Sequence, residues 1–366
     1  MTSPHRSPLH EQHVAAGAKL AEFGGWLMPL EFPGGGVLRE HAAVRGSVGV
    51  FDVSHLGKAS VTGPGAADFV NGCLTNDLGR IRPGQAQYTM CCDDATGGIV
   101  DDLIVYLRDP AEVLLVPNAA NTAEVVRRLS GAAPPGVDVR DAHQSYGVLA
   151  VQGAAAAAVL GDLGLPADHP YMSFVVAEYR GGPVIVCRSG YTGEPGYELL
   201  PAWADTPALW AGLVAAATAR DGLPCGLGAR DTLRTEMGYP LHGQDISLDV
   251  TPVQARAGWA VGWDKPRFWG AGALRVERER GPARLLRGLL ALDRGIPRPG
   301  MAVTAADGAP LGFVTSGTFS PTRRIGIGLA LLDAGVREGD DVLVDVRGRP
   351  STMRVSRPPF VDRSPT

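Results

Sequence analysis

Two adjacent carboxylates, Asp101 and Asp102, stand within β-branched and aromatic residues that predict a β-strand over residues 99–107. Asp is depleted in strands, and a carboxylate buried without a partner costs free energy. Because successive strand residues point to opposite faces, Asp102 shares a face with Tyr106 while Asp101 points the other way. Whichever face is the core, one carboxylate is turned toward it, and a local rule broken in a strong strand indicates function. The alternative is an acid pair at a sheet edge, in an ion pair or in water.

Three further side chains come from consecutive predicted strands around the acid pair. Tyr88, Tyr106 and Asn118 line one pocket if these strands form a meander. Aromatic faces in such a pocket suit a planar heterocycle. The alternative is that the tyrosines are ordinary core residues.

A turn rich in glycine and aromatic residues, over 190–198, carries Tyr191 and ends in Glu198. Glycine permits positive φ and a close approach of the backbone to a ligand. Glu198 begins the next strand, where its carboxylate can accept two hydrogen bonds from an amidine-like edge. The alternative is a tight surface turn whose acids are solvated.

A second glycine loop, over 226–231, leads into a helix predicted over 230–237 and places Arg230 at its start. A cation at a helix N-terminus opposes the helix dipole, so it needs a carboxylate or a ligand as partner. An ion pair with Asp231 or Glu236 meets this need as well as a ligand does.

Missing motifs exclude several chemistries. The chain has no G-x-S-x-G, no P-loop and no G-x-G-x-x-G, so a nicotinamide or flavin site is unsupported. Residues 51–55 read Phe-Asp-Val-Ser-His but are not a Ser-His-Asp triad, because triad members converge from different elements. With neither H-E-x-x-H nor C-x-x-C, the sequence predicts no metal site.

The composition is that of a globular protein with two or three domains. The 366 residues are 45% hydrophobic, and their net charge of −4 argues against a nucleic-acid binder. No apolar run is long enough to span a bilayer, and residues 1–13 lack the apolar core of a secretion signal. The odd number of cysteines, five, is typical of reduced thiols, so we expect a cytoplasmic location.

The predicted elements mix antiparallel strands with helices, which indicates an α+β fold rather than a parallel wound sheet. A helix is predicted over 9–20, and the charged run 275–284 is interpreted as a linker. After this run, short strands alternate with turn signals and predict a small C-terminal β-barrel of about 80 residues. We therefore expect two domains, residues 1–275 with two interleaved α+β lobes and residues 285–366 with the barrel.

Taken in order, nine stretches of the chain resemble the aminomethyltransferase, or T-protein, family of the glycine cleavage system. The resemblance extends from about residue 7 to about residue 361, and its motifs lie at residues 7–10, 24–29, 40–45, 51–55, 97–106, 118–121, 190–198, 226–231 and 316–321. It implies a three-lobed fold that binds tetrahydrofolate in a central channel, with residues 1–275 as the folate-binding region. It also implies the reaction. An aminomethyl group arrives on the lipoyl arm of the H protein, ammonia leaves, and the one-carbon unit passes to tetrahydrofolate as 5,10-methylenetetrahydrofolate.

The resemblance assigns roles to single residues. Asp102 matches the catalytic aspartate of the family, Glu198 the glutamate that grips the pterin, and Arg230 an arginine that lines the folate site. Other pocket positions match Tyr88, Tyr106, Asn118 and Tyr191. The sequence departs from the family pattern at Tyr171-Met172, at Gln254 and in the tail 360–366, so no tail residue is assigned to the site.

Three other functions compete with this interpretation. The same fold serves tetrahydrofolate-dependent demethylases, which the acids at 102 and 198 do not exclude. It also serves a folate-binding assembly factor for iron–sulfur proteins, but the matching stretch 265–270 lacks the cysteine of that family. The folate half of a flavin-linked amine dehydrogenase would need a dinucleotide domain that this chain lacks.

The proposed partner raises a question of charge. Docking to an acidic H protein favours a basic surface, whereas the chain carries a net charge of −4. We therefore expect a local arginine cluster, and we expect high salt to weaken turnover with the H protein.

Overall fold

Residues 3–362 are described by a computed structural model, and they divide into two compact units. The first unit comprises residues 3–91 and 101–230, and the second comprises residues 92–100 and 231–362. Across this described range, no helix is long and apolar enough to cross a membrane.

The described residues contain eight α-helices of 6 to 13 residues. They are α1 (His10–Ala15), α2 (Gly36–Gly46), α3 (Ala66–Cys73), α4 (Thr122–Ala132), α5 (Ala156–Asp162), α6 (Thr206–Thr218), α7 (Leu227–Met237) and α8 (Ala271–Arg280).

Two of these helices correct the sequence prediction. Helix α1 ends at Ala15 rather than continuing to residue 20, because Gly17 at φ 68° closes a Schellman motif. The motif consists of hydrogen bonds from Ala18 N to His13 O and from Gly17 N to Val14 O, both 2.9 Å. Residues 275–280 of the predicted linker, 275–284, belong to helix α8, since Arg and Glu are good helix formers, and residue 284 begins strand β15 (Arg284–Ala291).

Within residues 3–362, twenty strands form three sheets and a barrel. They are β1 (His5–Arg6), β2 (Lys19–Phe23), β3 (Trp26–Glu31), β4 (Gly49–Asp52), β5 (Ala59–Thr62), β6 (Gln85–Cys92), β7 (Ile99–Asp109), β8 (Glu112–Val116), β9 (Asp138–Asp141), β10 (Leu149–Gln152), β11 (Phe174–Tyr179), β12 (Gly182–Cys187), β13 (Gly196–Pro201), β14 (Leu223–Cys225), β15 (Arg284–Ala291), β16 (Ala302–Thr304), β17 (Pro310–Ser320), β18 (Ile325–Asp333), β19 (Asp341–Val346) and β20 (Arg349–Ser356).

The strand orders confirm the α+β fold class. The three sheets run β1-β3-β2, β11-β12-β13-β10-β4-β14 and β6-β7-β8-β5-β9, with mostly antiparallel neighbours. The six-stranded sheet buries β4 and β10 completely and packs against α5 and α6 in a core that includes Leu149, Leu209 and Leu213. Strands β6, β7 and β8 are neighbours in chain order, so the predicted meander is present.

A glycine turn sets the start of strand β7. Gly97 has φ 74°, and a Cβ on Gly98 would clash with the carbonyl oxygen of Leu248. The amide of Ile99 then donates to the carbonyls of Ser247 and Val250 at 3.0 Å. Only glycine permits this close approach, which fixes the register from which the acid pair follows.

The C-terminal barrel is closed, in the order β15-β18-β17-β16-β19-β20, as the sequence predicts. Its interior is filled by aliphatic side chains such as Leu289, Val314 and Met353, each 0% exposed. Closure pairs the first strand with the last, so no long edge is left unpaired.

Asp52, at the end of β4, anchors the N-terminal segment. Its carboxylate accepts hydrogen bonds from Ser7 Oγ (2.5 Å) and the amide of Ser54 (2.9 Å), and contacts Nε2 of His13 at 2.8 Å. Burial by itself raises the pKa of Asp52. The hydrogen bond to His13, the charge of His13, and the hydrogen bonds from Ser7 and Ser54 oppose this and lower that pKa overall. Residues 51–55 thus form a structural anchor rather than a triad.

Candidate functional site

Strand β7 turns the two carboxylates of the acid pair to unequal surroundings. Asp101 shares a face with Ile99, Leu103 and Val105, which are at most 2% exposed, and is itself 0% exposed. Asp102 lies on the opposite face and is half-buried. The core-facing acid is therefore Asp101, and Asp102 is the partly exposed one.

Asparagine amides surround Asp101. Its Oδ1 accepts from Nδ2 of Asn118 (2.9 Å) and of Asn121 (2.7 Å), and its Oδ2 accepts from the amide of Asn118 (3.0 Å). Burial, and next the charge of Asp102, raise the pKa of Asp101 well above its usual range, although these amides oppose the rise.

Asp102 is oriented by the side chains of Tyr88, in β6, and Asn118, which follows β8. The hydroxyl of Tyr88 donates to Oδ2 at 3.1 Å, and Nδ2 of Asn118 donates to Oδ1 at 2.8 Å. Burial, and then the charge of Asp102 and this hydrogen bond, raise the pKa of Tyr88, so its hydroxyl stays a donor. The amide of Asn118 therefore contacts both carboxylates.

Glu198 lies in β13, opposite Cys187 of β12, and forms a second group with Tyr106. Ser189 Oγ donates to Glu198 Oε2 at 2.5 Å. Burial raises the pKa of Tyr106 well above its usual range, and the nearby Cys187 and Glu198 raise it further. Burial also raises the pKa of Cys187 to about 12, so this thiol stays protonated. Tyr106 is 2% exposed, so its side chain is packed against its neighbours in this group.

The turn that carries Tyr191 is held from two sides. Gln152, 0% exposed, donates from Nε2 to the carbonyl of Ser189 (3.0 Å) and accepts from Thr192 Oγ1 (2.9 Å). Arg45 Nη1 donates to the carbonyl of Thr192 (2.7 Å) and to Glu194 Oε1 (2.8 Å). A Cβ on Gly190 would clash with the Gln152 amide, so glycine is needed there.

Arg230 stacks on an aromatic ring. Its guanidinium carbon lies 4.6 Å from the ring centroid of Tyr191, and both side chains are half-buried. Helix α7 begins at Leu227, three residues before the predicted start, which places Arg230 in the first turn. Asp231, which the sequence offers as a partner for Arg230, instead accepts from Arg234 at 2.7 and 2.8 Å.

All seven predicted site residues lie in the first unit. Hydrogen bonds join Tyr88, Asp102 and Asn118. Two further pairs are linked electrostatically, because Tyr191 raises the pKa of Tyr88 and Glu198 raises the pKa of Tyr106. The tail that the sequence leaves unassigned falls partly, at 363–366, outside the described residues. The ligand roles of the seven residues stay predictions.

Three positioning residues escape the sequence reasoning: Asn121, Gln152 and Ser189. Asn121 reaches Asp101, and Ser189 reaches Glu198. The spacing Asn118-x-x-Asn121 is the one signal that could have indicated a shared target. Gln152 sits 37 positions before the residue it holds, a distance at which spacing carries no information.

Chemically, the site offers a half-buried acid with two fixed donors, a glutamate held through one oxygen, and a cation stacked on a tyrosine. Such a set suits a planar, polar heterocycle with hydrogen-bond donors along one edge. Among residues 3–362, no group of three or more His, Cys, Asp or Glu side chains is arranged to hold a metal ion.

Comparison with known proteins gives full-length matches. Residues 9–265 match the family model described as GCVT N-terminal domain, and residues 284–362 match the glycine cleavage T-protein C-terminal barrel domain. The aminomethyltransferase of Parafrankia sp. (strain EAN1pec) is 70% identical over 360 residues, covering 98% of each chain. That of Frankia alni is 69% identical over 365 residues, covering 100% of each. The crystal structure of glycine cleavage system aminomethyltransferase T from Bartonella henselae superposes with a TM-score of 0.92 at 35% identity, covering 99% of each chain.

Proposed function

Because the chain belongs to the aminomethyltransferase (T-protein) family of the glycine cleavage system, we propose that Asp102 is its catalytic residue and that the group around it binds tetrahydrofolate. The chain is a transferase of this family, whose known reaction is a tetrahydrofolate-dependent transfer of a one-carbon unit. The proposed donor is the aminomethyl-lipoyl arm of the H protein. The proposed products are ammonia, dihydrolipoyl H protein and 5,10-methylenetetrahydrofolate.

The observation that carries this proposal is the position of Asp102. Its carboxylate is half-buried and accepts hydrogen bonds from Tyr88 and Asn118, which orient it. Tetrahydrofolate would supply the nucleophilic nitrogen that takes the one-carbon unit. Asp102 would orient that nitrogen through a hydrogen bond and receive or return its proton, which is work for a positioned carboxylate.

Glu198, Tyr191 and Arg230 are proposed to bind the rest of the ligand. Ser189 fixes one oxygen of Glu198, which turns the carboxylate so that it can accept from the donor edge of a pterin. The stacked pair of Arg230 and Tyr191 offers a flat, cationic surface to an aromatic or anionic part of the substrate. Tyr88, Tyr106 and Asn118 complete the walls of the proposed pocket.

The domain division and the cellular location are also proposals. We propose residues 1–275 as the folate-binding region and 285–366 as the barrel domain, with no resident metal. A cytoplasmic location is supported by the cysteines, all five of which are buried and none of which forms a disulfide in residues 3–362.

The test compares wild type with Asp102→Asn, and uses Asp249→Asn, an exposed acid outside the site, as the matched control. Formation of methylenetetrahydrofolate from aminomethyl-loaded H protein should fall about 10²–10⁴-fold in the Asp102 variant. Binding of tetrahydrofolate and thermal stability should stay close to wild type, and the control should keep full activity.

Two outcomes would contradict the proposal. An Asp102→Asn enzyme as active as wild type would make Asp102 structural. A wild-type protein that binds tetrahydrofolate but is inert with loaded H protein would favour the demethylase alternative.

A further inference from the structure

A buried lysine lies between β4 and β5 in the first unit. Lys58 is 0% exposed, and its Nζ donates to the carbonyls of Ser54 (3.0 Å) and Leu56 (2.8 Å). The ring centroid of Trp203 lies 5.6 Å from the same nitrogen. In the part of the chain that the structure describes, Lys58 forms no ion pair, so its charge is met by two carbonyls and an aromatic face. A charge buried in this way costs stability, which is a reason to look for its use.

Lys58 and a histidine hold three successive carbonyls of the turn that follows β4, residues 53–57. The lysine holds the first and the third of these carbonyls. Nε2 of His143 lies 3.0 Å from the one between them, the carbonyl of His55. A carbonyl oxygen only accepts, so Nε2 carries the proton and donates it. The backbone of the turn is therefore fixed by two bases from outside it.

The turn packs on the segment that carries a donor to Asp102. The amide of Gly57 donates to the carbonyl of Pro117 at 2.8 Å, and a Cβ on Gly57 would clash with Thr122 Oγ1. Pro117 precedes Asn118, whose Nδ2 donates to Asp102 Oδ1 at 2.8 Å. Direct contacts thus lead from the turn to the carboxylate of the site.

Several titratable or charged groups from neighbouring elements act on this cluster: Asp52, Asp141, His5, His55, His143 and Arg230. Burial lowers the pKa of Lys58 to about 7, although the charges of the two acids oppose this fall. Burial also lowers the pKa of His55 to about 3 and that of His143 to about 4. Lys58 therefore changes its charge near neutral pH, while these two imidazoles stay neutral there.

We propose that Lys58 is a positioning residue for the one-carbon transfer, because its ammonium holds residues 53–57 against Pro117 and so keeps Asn118 on Asp102. This rests on the proposed function, in which Asp102 touches the substrate. An ammonium donates charge-assisted hydrogen bonds, which are roughly twice as strong as those of a neutral amine. The contribution of Lys58 to turnover is therefore present below its native pKa and is lost as pH rises through about 7.

The test replaces Lys58 by Met, a side chain of similar length without charge, and uses Lys19→Met as the matched control. Lys19 lies in β2 of the same unit, and 67% of its side chain is exposed. The kcat, the KM of tetrahydrofolate and the KM of aminomethyl-loaded H protein are measured on both sides of neutral pH. Hydrogen exchange of the Gly57 amide is measured without substrates, at one pH below the native pKa of Lys58. A second variant, Lys58→Gln, removes the charge but keeps an amide donor, and it decides the question if the Met variant does not fold.

Below the native pKa of Lys58, the kcat of Lys58→Met should fall about tenfold, within the range that a misplaced catalytic group costs. Both KM values should stay close to wild type. The difference in kcat between wild type and variant should shrink as pH rises through about 7. The Gly57 amide should exchange about tenfold faster, as expected when a hydrogen bond from a charged group is lost. Lys58→Gln should show the same pH pattern, and Lys19→Met should match wild type throughout.

Three results would overturn the proposal: a wild-type kcat in Lys58→Met, a loss of kcat that is equal at every pH, or unchanged exchange of the Gly57 amide. Failure of the proposed function is distinguishable from these, since wild type would then be inert with loaded H protein at every pH. The exchange of the Gly57 amide needs no substrate, so it would still report whether Lys58 holds the turn.

Discussion

Two buried aspartates, Asp52 in β4 and Asp101 in β7, differ in their electrostatic surroundings although they are 1% and 0% exposed. Asp52 contacts His13 and lies near the buried Lys58, whose pKa burial lowers to about 7 while the charge of Asp52 opposes that fall. Among residues 3–362, Asp101 has only neutral amides as hydrogen-bond partners, and a second acid is its neighbour in the chain. Accordingly the pKa of Asp52 is lowered and that of Asp101 is raised.

The difference teaches that neighbours, rather than burial, decide what a buried acid contributes. Asp52, surrounded by a base and hydroxyl donors, anchors the N-terminal segment to a central strand and stabilises the fold. Asp101 is held beside another carboxylate, an arrangement that opposes folding and is typical of functional sites.

The largest expected effect is a difference between the two acids in how much each contributes to the stability of the fold. Asp52→Ala leaves Ser7, His13 and the amide of Ser54 without their buried acceptor, so the free energy of unfolding should fall by about 3–5 kcal/mol. Asp101→Ala also leaves donors without their acceptor, but it relieves the repulsion between Asp101 and Asp102. The fall in the free energy of unfolding should therefore be less than half as large. Urea unfolding of both variants measures this, and equal losses would remove the distinction.

The sign of the pH dependence should also differ. A lowered native pKa means that Asp52 contributes stability above its unfolded pKa of about 3.9, and this contribution is lost as pH falls through the native value. A raised native pKa means that the contribution of Asp101 is full below about 3.9 and is lost as pH rises through the native value. The unfolding free energies of Asp52→Asn and Asp101→Asn, each compared with that of wild type from acidic to alkaline pH, should differ from wild type at opposite ends of the range.

Removing one donor from each acid sharpens the comparison. Ser7→Ala and Asn121→Ala each delete a short hydrogen bond to a buried carboxylate, and each should cost about 1.5–3 kcal/mol. Both deletions should raise the pKa of the acid concerned, because a donor stabilises its ionised form. Carboxyl ¹³C titration reports the change, and a fall in either pKa would contradict the account.

The smallest effect on stability is expected for Tyr88→Phe. It removes one donor from the half-buried Asp102, which solvent can replace, so the unfolding free energy should change by less than about 1 kcal/mol. Turnover should nevertheless fall, since Asp102 loses a group that orients it. A variant with normal turnover would show that Tyr88 is not needed for this orientation.

Much of this arrangement follows from local rules. The parity of strand β7 separates Asp101 from Asp102, the meander brings Tyr88 and Asn118 to the acids, and the spacing of turns predicts the closed barrel. Parity does not tell which face a second layer covers, so the choice of Asp101 as the buried acid required the structure.

The errors have physical causes as well. The predicted helix over 9–20 ends early because a glycine motif stops α1, and residues 275–280 of the predicted linker are helical because they are good helix formers. Ser189 and Gln152 were missed because their partners are set by the pairing of distant strands, which no local spacing encodes.

The shared amide of Asn118 makes the site observable in solution. Its Nδ2 lies 2.9 Å from Asp101 Oδ1 and 2.8 Å from Asp102 Oδ1, so a proton gained by either acid changes the field at one nitrogen. The ¹H and ¹⁵N resonances of that side-chain amide are therefore an internal indicator of the charge on the pair. A single labelled asparagine would follow the ionisation of both acids in the unmodified enzyme, before and after substrate binds.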